Sequence, residues 1–278
     1  MTSPQAPVGR LLVCATPIGN LQDVTIRVLD ALRAADLVAC EDTRHTRLLL
    51  ERHDISTRTV SLHEHNERLR AAELVERIRS GETVALVSDA GTPLVSDPGY
   101  ALVQACVQAG IEVEALPGPS AVLVALVVSG LPSERWRYVG FLPRVRGQLG
   151  ELLAGATDTL VAFESPGRLA GTLELLAAQD PERAVAVCRE LTKLHEEVRR
   201  GSASELAGYY REHPARGEVV LVVGAAEAGR APLQDAIVAV RELIDAGAKP
   251  RPAAAAVAKL TGLRANELYR EITRTGTR

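Results

Sequence analysis

Between Leu11 and Leu116, five short apolar runs alternate with four stretches of helical period, and a chain that alternates in this way has few folds open to it. The apolar runs lie near 11–15, 37–40, 59–62, 83–88 and 111–116, and the helical stretches near 25–35, 43–53, 67–79 and 98–109. A strand that returns through a helix comes back parallel, so the pattern predicts a mostly parallel sheet with helices on both faces. A second set of strands is expected near 138–141, 160–163, 184–189, 197–200 and 219–223, after a helix at 121–129. Two of these follow each other too closely for a helical crossover, which predicts a mixed sheet. Residues 225–232 read as a linker, followed by three short helical patterns at 233–245, 252–260 and 264–273. At 278 residues the chain exceeds the usual size of a single core. The expected class is α/β, with α/β domains at 1–118 and 119–228, a ligand cleft between them and a small helical C-terminal extension at 233–278.

Four apolar runs break at their ends into proline, glycine and small polar residues. They are Cys14-Ala15-Thr16-Pro17-Ile18-Gly19-Asn20, Ser88-Asp89-Ala90-Gly91-Thr92-Pro93-Leu94-Val95-Ser96-Asp97-Pro98-Gly99, Leu116-Pro117-Gly118-Pro119-Ser120-Ala121, and Phe163-Glu164-Ser165-Pro166. In open α/β sheets the carboxyl ends of strands converge on the ligand crevice, so four such breaks can enclose one pocket. The same residues also suit ordinary turns and helix caps, Ser120 after Pro119 and Pro98 at a first helical turn above all. Glu41-Asp42-Thr43-Arg44 ends the second run, where a carboxylate and a guanidinium can face a cleft, or where Asp42 can cap a helix beside a Glu41–Arg44 pair. There is no G-x-G-x-x-G after the first strand and no P-loop, H-E-x-x-H or G-x-S-x-G run, so dinucleotide, nucleotide-hydrolase, zincin and serine-hydrolase chemistry lose their usual signatures.

Eight runs in order, ATPIGNLQDVT, EDTRHT, SDAGTPLVSDPG, PGPSA, SGLP, GFLP, ESPGRL and RELTKLHEE, carry a resemblance over nearly the whole chain. The set resembles the tetrapyrrole-methylase-like family of S-adenosylmethionine methyltransferases, and within it the bacterial enzymes that methylate the 2′-hydroxyl of a cytidine in small-subunit (16S) ribosomal RNA. The resemblance implies S-adenosylmethionine bent into a cleft between two α/β domains. Carried onto this sequence, it implies cofactor contacts from Pro17, Gly19, Asp89, Gly91, Thr92, Pro93, Ser120, Ala121, Glu164 and Ser165. It also implies a small-subunit ribosomal RNA partner, a homodimer, and a C-terminal extension like a helix-turn-helix.

A ribose hydroxyl is a poor acid, so a base or a cation that lowers its pKa helps its oxygen attack. Asp23, Glu41, Arg44, Arg189, Lys193 and Glu196 are the candidates, with Glu41, Arg44 and Lys193 placed first. Lys193 is one of only three lysines beside twenty-nine arginines, an imbalance that reads most simply as biased codon usage, and otherwise as a lysine kept where a compact, rotatable ammonium is needed. Arg27, Arg44 and Arg168 suit phosphate contacts, because a guanidinium fork fits phosphate oxygens; Arg189, Arg251 and Lys259 complete the substrate set.

The overall charge of −3 is unlike that of a nucleic-acid binder until it is divided along the chain. Residues 246–278 carry seven basic side chains (Lys249, Arg251, Lys259, Arg264, Arg270, Arg274, Arg278) against Glu267 and Glu271. That surplus reads equally as a solvated helical face or as a surface that meets phosphates. The four cysteines, Cys14, Cys40, Cys106 and Cys188, lie far apart in apolar patterns and read as buried free thiols. His63-Glu64-His65 has no third ligand at a familiar spacing, so no metal is expected. No apolar stretch reaches the roughly 18 residues of a membrane span, and the start, MTSPQAPVGR, lacks a signal-peptide pattern, so a cytoplasmic location without membrane attachment is expected.

Overall fold

The computed structural model describes residues 9–226, 233–261 and 263–274. Residues 1–8, most of the expected linker (227–232), Gly262 and residues 275–278, including Arg278, lie outside the described residues.

The first domain is a five-stranded, all-parallel sheet of β1 (Arg10–Cys14), β2 (Leu37–Cys40), β3 (Thr59–Ser61), β4 (Val84–Val87) and β5 (Glu112–Leu116), in the order β3-β2-β4-β1-β5. Successive side chains of a strand point to opposite faces. Leu11 and Val13 accordingly meet α3 (Glu67–Arg79) and α4 (Tyr100–Gln108), while Leu12 and Cys14 meet α1 (Ile26–Ala34) and α2 (Thr43–Arg52). Both faces are covered, which is why these strands read as continuous apolar runs. After β3 the chain returns between β2 and β1, and this reversal opens a crevice at the carboxyl ends of β1 and β4.

Helix α4 begins at Tyr100 rather than at Pro98 as expected. Gly99, at φ 129°, turns the chain, and Glu67 Oε1 accepts from the Gly99 and Ala101 amides at 2.8 and 2.7 Å. A carboxylate from the first turn of α3 thus satisfies two otherwise orphan donors at the start of α4.

The second domain is the expected mixed sheet. Strands β6 (Trp136–Phe141), β7 (Thr159–Glu164), β8 (Ala184–Arg189), β9 (Glu197–Ser202) and β10 (Val219–Val223) lie in the order β6-β7-β10-β8-β9. Only β6 and β7 pair in parallel. Helix α5 (Ala121–Ser129) covers one face through Val122, Ala125 and Leu126. On the other face, α6 (Arg146–Ala154), α7 (Pro166–Gln179) and α8 (Ala203–Glu212) bury Leu153, Leu169 and Leu206. Ile18, from the loop after β1, joins the α5 face and ties the two domains together. Because β10 lies antiparallel to β7, its first residue Val219 sits opposite Glu164, the last residue of β7.

Helices α9 (Leu233–Asp245), α10 (Pro250–Thr261) and α11 (Ala265–Arg274) form a unit with its own apolar cluster of Ala236, Ile237, Val240, Ala253, Ala254, Val257, Leu263 and Leu268. Helix α10 starts two residues earlier than the sequence pattern places it. Both Pro250 and Pro252 fall in its first turn, where a missing N–H costs nothing. All four cysteines are free and buried.

Candidate active site

The crevice is built by long-range ties between strand ends. Thr16 and Gly91 exchange backbone hydrogen bonds, Thr16 N to Gly91 O at 2.8 Å and Gly91 N to Thr16 O at 3.1 Å, and Thr16 Oγ1 donates to Ser88 O at 3.0 Å. Gly91 holds φ at 80° to do this, a backbone conformation that penalises any side chain. Thr92 Oγ1 donates to Pro119 O at 3.1 Å, and the Ser96 hydroxyl bonds Tyr138 Oη across the domains at 2.6 Å. Leu94 and Ser96 sit at φ 72° and 69°, strain that a loop keeps only when its surroundings fix it.

The second-domain wall is equally fixed. Glu164 is 2% exposed, yet its carboxylate accepts from Ser165 N at 2.8 Å and Thr172 Oγ1 at 2.7 Å and faces Arg168 at 3.4 Å. Arg168 in turn donates to Leu142 O and Pro143 O at 3.2 and 2.6 Å. A buried charge with a partner and hydrogen bonds is tolerated, and this one pins the turn into α7.

Between the domains lies a cavity of about 390 Å³ whose walls include Gly91, Thr92, Asp97, Ser120, Phe163, Glu164 and Gly217. A smaller chamber of about 240 Å³ adjoins it, sharing Ile18, Ala90 and Glu218. Of the ten residues expected at the cofactor, Gly91, Thr92, Ser120, Ala121, Glu164 and Ser165 line the larger cavity. Pro17, Gly19 and Asp89 line the smaller one, and Pro93 lines neither.

The expected catalytic residues are dispersed. Lys193 lies on the smaller chamber, its ammonium 3.0 Å from both the Glu190 and Glu218 carboxylates. Burial works against its charge, but the two carboxylates outweigh it and hold the pKa above its usual value, so Lys193 is a cation and not a base. Arg44 is 88% exposed and lines neither cavity. It pairs with Asp42 at 2.7 Å, not with Glu41, because Asp42 caps α2 and lies beside the guanidinium. Arg44 also holds the Asp42 carboxyl well below the usual range. Glu41 lines neither cavity, and its pKa is raised by burial and then by the Asp89 charge.

Among the expected phosphate contacts, Arg27 is committed to Glu114 at 2.9 Å, Arg168 is the wall brace described above, and Arg189 pairs with Glu197 at 3.4 Å. Arg251 and Lys259 belong to the helical unit, where the Arg251 guanidinium lies 5.3 Å from the Tyr269 ring. No group of three or more His, Cys, Asp or Glu side chains is arranged to hold a metal among the described residues.

Three wall elements lie outside the expected set. Asp97 faces the larger cavity with its pKa pushed up to about 6 by burial and by the Glu41 and Asp89 charges, against a hydrogen bond from Ser88. Phe141 and Phe163 pack edge to face at 5.4 Å and form an aromatic side of the cavity. The segment from Gly217 to Val220 closes it from the amino end of β10. Its one sequence signal is the isolated Gly217, at φ 76°, where an added Cβ would stand 2.4 Å from Glu190.

The profile of the family described as Tetrapyrrole (Corrin/Porphyrin) Methylases matches residues 10–207, both α/β domains up to α8. The chain belongs to the tetrapyrrole methylase family. Curated relatives cover nearly its full length, and each bears the name Ribosomal RNA small subunit methyltransferase I. That of Mycobacterium tuberculosis (strain CDC 1551 / Oshkosh) is 48% identical, with 94% of this chain and 93% of the relative covered. That of Mesorhizobium japonicum is 46% identical over 94% and 90%, and that of Escherichia coli O157:H7 is 43% identical over 94% of each. Among solved structures, a diphthine synthase superposes with a TM-score of 0.61 at 19% identity, covering 77% of this chain and 90% of its own. A uroporphyrin-III C-methyltransferase from Thermus thermophilus, solved with S-adenyl homocysteine, superposes at 0.55 and 20% identity over 78% and 97%. At such identities these two solved structures speak for the shared fold alone.

Proposed function

We propose that this chain transfers a methyl group from S-adenosylmethionine to the ribose 2′-oxygen of a cytidine in 16S ribosomal RNA of the small ribosomal subunit. The observation that carries the reading is identity of 43–48% over at least nine tenths of relatives that all bear the name of a small-subunit ribosomal RNA methyltransferase.

The larger cavity suits the cofactor. Its volume falls within the roughly 300–1,000 Å³ of small-molecule sites. Helices α5 and α7 both begin on its wall, and neither Ser120 nor Ser165 caps its helix with a side-chain hydrogen bond. The first-turn amides of α5, from Ala121 to Leu123, are donors for a carboxylate such as that of the methionine moiety, whereas α7 starts at Pro166, which has no N–H. Val95, Phe163 and Val220 offer an apolar side for adenine, and Asp97 a negative charge toward a sulfonium. When bound, the sulfonium supplies a methyl carbon to an incoming oxygen. The protein's part is to hold the two partners in line, exclude water and take up the proton that the hydroxyl loses. Of the cavity's carboxylates, Glu164 is engaged with Ser165, Thr172 and Arg168 and Glu218 is paired with Lys193, whereas Asp97 has a pKa close to working pH and is the group we assign to receive the proton.

The test is ribose-methyl mapping by mass spectrometry. Ribosomal RNA from cells lacking the protein should lose one 2′-O-methylcytidine, and the purified protein should restore it on isolated small subunits. Methylation of a tetrapyrrole with no activity on subunits would replace this reading.

Asp97 carries a pH prediction. Below about 6 the native enzyme should lose kcat/KM roughly tenfold per pH unit, and Asp97→Asn should lose about 100-fold together with that limb of the profile. Stability moves the other way. A carboxyl raised from 3.8 to about 6 binds its proton in the folded state before the unfolded one does, so folding is favoured as pH falls between those values. The Asn variant, lacking the half-exposed charge, should melt a few degrees higher than native at pH 8 and show no advantage at pH 4. Melting curves at the two pH values check this.

We read the protein as a cytoplasmic homodimer. Leu123 and Val127, 51% and 80% exposed, stand one turn apart on α5 and offer an apolar strip for pairing. Sedimentation at micromolar concentration should give twice the mass of one chain, and a monomer alone would remove the dimer from the reading.

A further inference from the structure

The smaller chamber has the properties of a nucleoside pocket. It holds about 240 Å³, room for a nucleoside but not for a macrocycle, and it shares Ile18 and Ala90 as wall residues with the cofactor-sized cavity. One side is aliphatic, formed by Leu21, Leu48 and Leu49. Leu48 is 60% exposed and Leu21 38%, so two large apolar side chains stand in solvent at its mouth. The polar lining includes His45 and Asp89 together with Thr16, Thr46 and Ser88, and Lys193 paired with Glu218, which is shared with the larger cavity. One Asp89 oxygen accepts from Asp42 N at 3.0 Å, which fixes the carboxylate and leaves its second oxygen for another donor.

We propose that this chamber holds the acceptor nucleotide, with its ribose at the Ile18–Ala90 junction, its base face on Leu48 and its polar edge toward Asp89 and His45. The proposal rests on the reading that the chain methylates ribosomal RNA. A nucleotide taken out of its stack needs an apolar surface for its face and paired groups for its edge. Cytosine presents an exocyclic amine, which a carboxylate accepts, beside ring acceptors, which an imidazole N–H satisfies; uracil presents the opposite polarity at both atoms. The chamber therefore selects the base while the larger cavity holds the methyl donor, and the shared wall brings the ribose between them.

The test uses the full chain, small ribosomal subunits lacking the methyl group and methyl-labelled S-adenosylmethionine. Leu48→Ala and Leu48→Glu should raise KM for subunits at least threefold and tenfold, with kcat and calorimetric S-adenosylmethionine affinity within twofold of native. Leu69→Glu, at an 81% exposed position on α3 outside both cavities, should change none of these and controls for added charge. Asp89→Asn keeps an oxygen for Asp42 N, and should narrow at least tenfold the preference for subunits carrying cytidine over uridine at the target. Native KM and native base preference in the variants would overturn the proposal, as would S-adenosylmethionine affinity falling tenfold in Leu48→Glu, which would assign the chamber to the cofactor. Failure of the broader reading shows separately, as absence of methyl transfer by the native chain.

Discussion

Removal of residues 233–278 should reduce methylation of small ribosomal subunits at least 100-fold while leaving S-adenosylmethionine affinity within twofold of native. The three helices bury their apolar residues against one another, with Ile237, Val240, Val257 and Leu268 in a cluster that, among the described residues, draws nothing from either α/β domain. Their loss therefore uncovers no part of the cofactor cavity, and the melting temperature of the remainder should move by only a few degrees. A cut at residue 246 would be the wrong experiment, since it would strip α10 and α11 from α9 and leave Ala236, Ile237 and Val240 in water. The expected loss comes from charge. Lys249, Arg251, Lys259 and Arg264 lie on this unit, and each phosphate contact removed should lower the salt slope of RNA binding by about 0.9. If the unit only protected the body, cofactor affinity and melting temperature would fall together; undiminished activity on subunits would show that it plays no part in docking RNA.

The sheets were legible in the sequence because their strands are buried on both faces, so Leu37–Cys40 and Val84–Val87 read as unbroken apolar runs. The loops were legible as places where a site must lie, but not residue by residue. Which side chain faces the cavity depends on ties such as the Thr16–Gly91 bridge, which spans 75 residues. Asp42 and Glu41 are neighbours of the same chemistry, and only the capping geometry of α2 decides which one meets Arg44. Arg27 looks like a free guanidinium until the fold brings Glu114 beside it. Beyond the isolated Gly217, the contribution of the segment to Val220 left no sequence signal, because local pattern does not reveal that β10 inserts antiparallel between β7 and β8, which turns its amino end toward the carboxyl end of β7.

Gly91→Leu should weaken S-adenosylmethionine binding at least 100-fold, a loss of about 2.8 kcal/mol. Two effects add. At φ 80° a side chain costs about 1–2 kcal/mol in backbone strain. The new Cβ also stands 3.3 Å from Ile18 Cγ2 and 3.7 Å from Pro119 O, and the remaining carbons enter the cavity that Gly91 lines. The strand-end bridge to Thr16 holds the residue in place, so the loop has little freedom to carry the added group away. Gly110→Ala separates the two effects, because Gly110 has φ 68° but no atom within 4 Å of an added Cβ and lies outside both cavities. It should lower the melting temperature by a few degrees and leave cofactor affinity at the native value. Calorimetric titration of both variants, with melting curves alongside, resolves strain from steric exclusion. Native affinity in a folded Gly91→Leu protein would remove this loop from the cofactor site, and with it the assignment of Asp97, six residues further along the same loop.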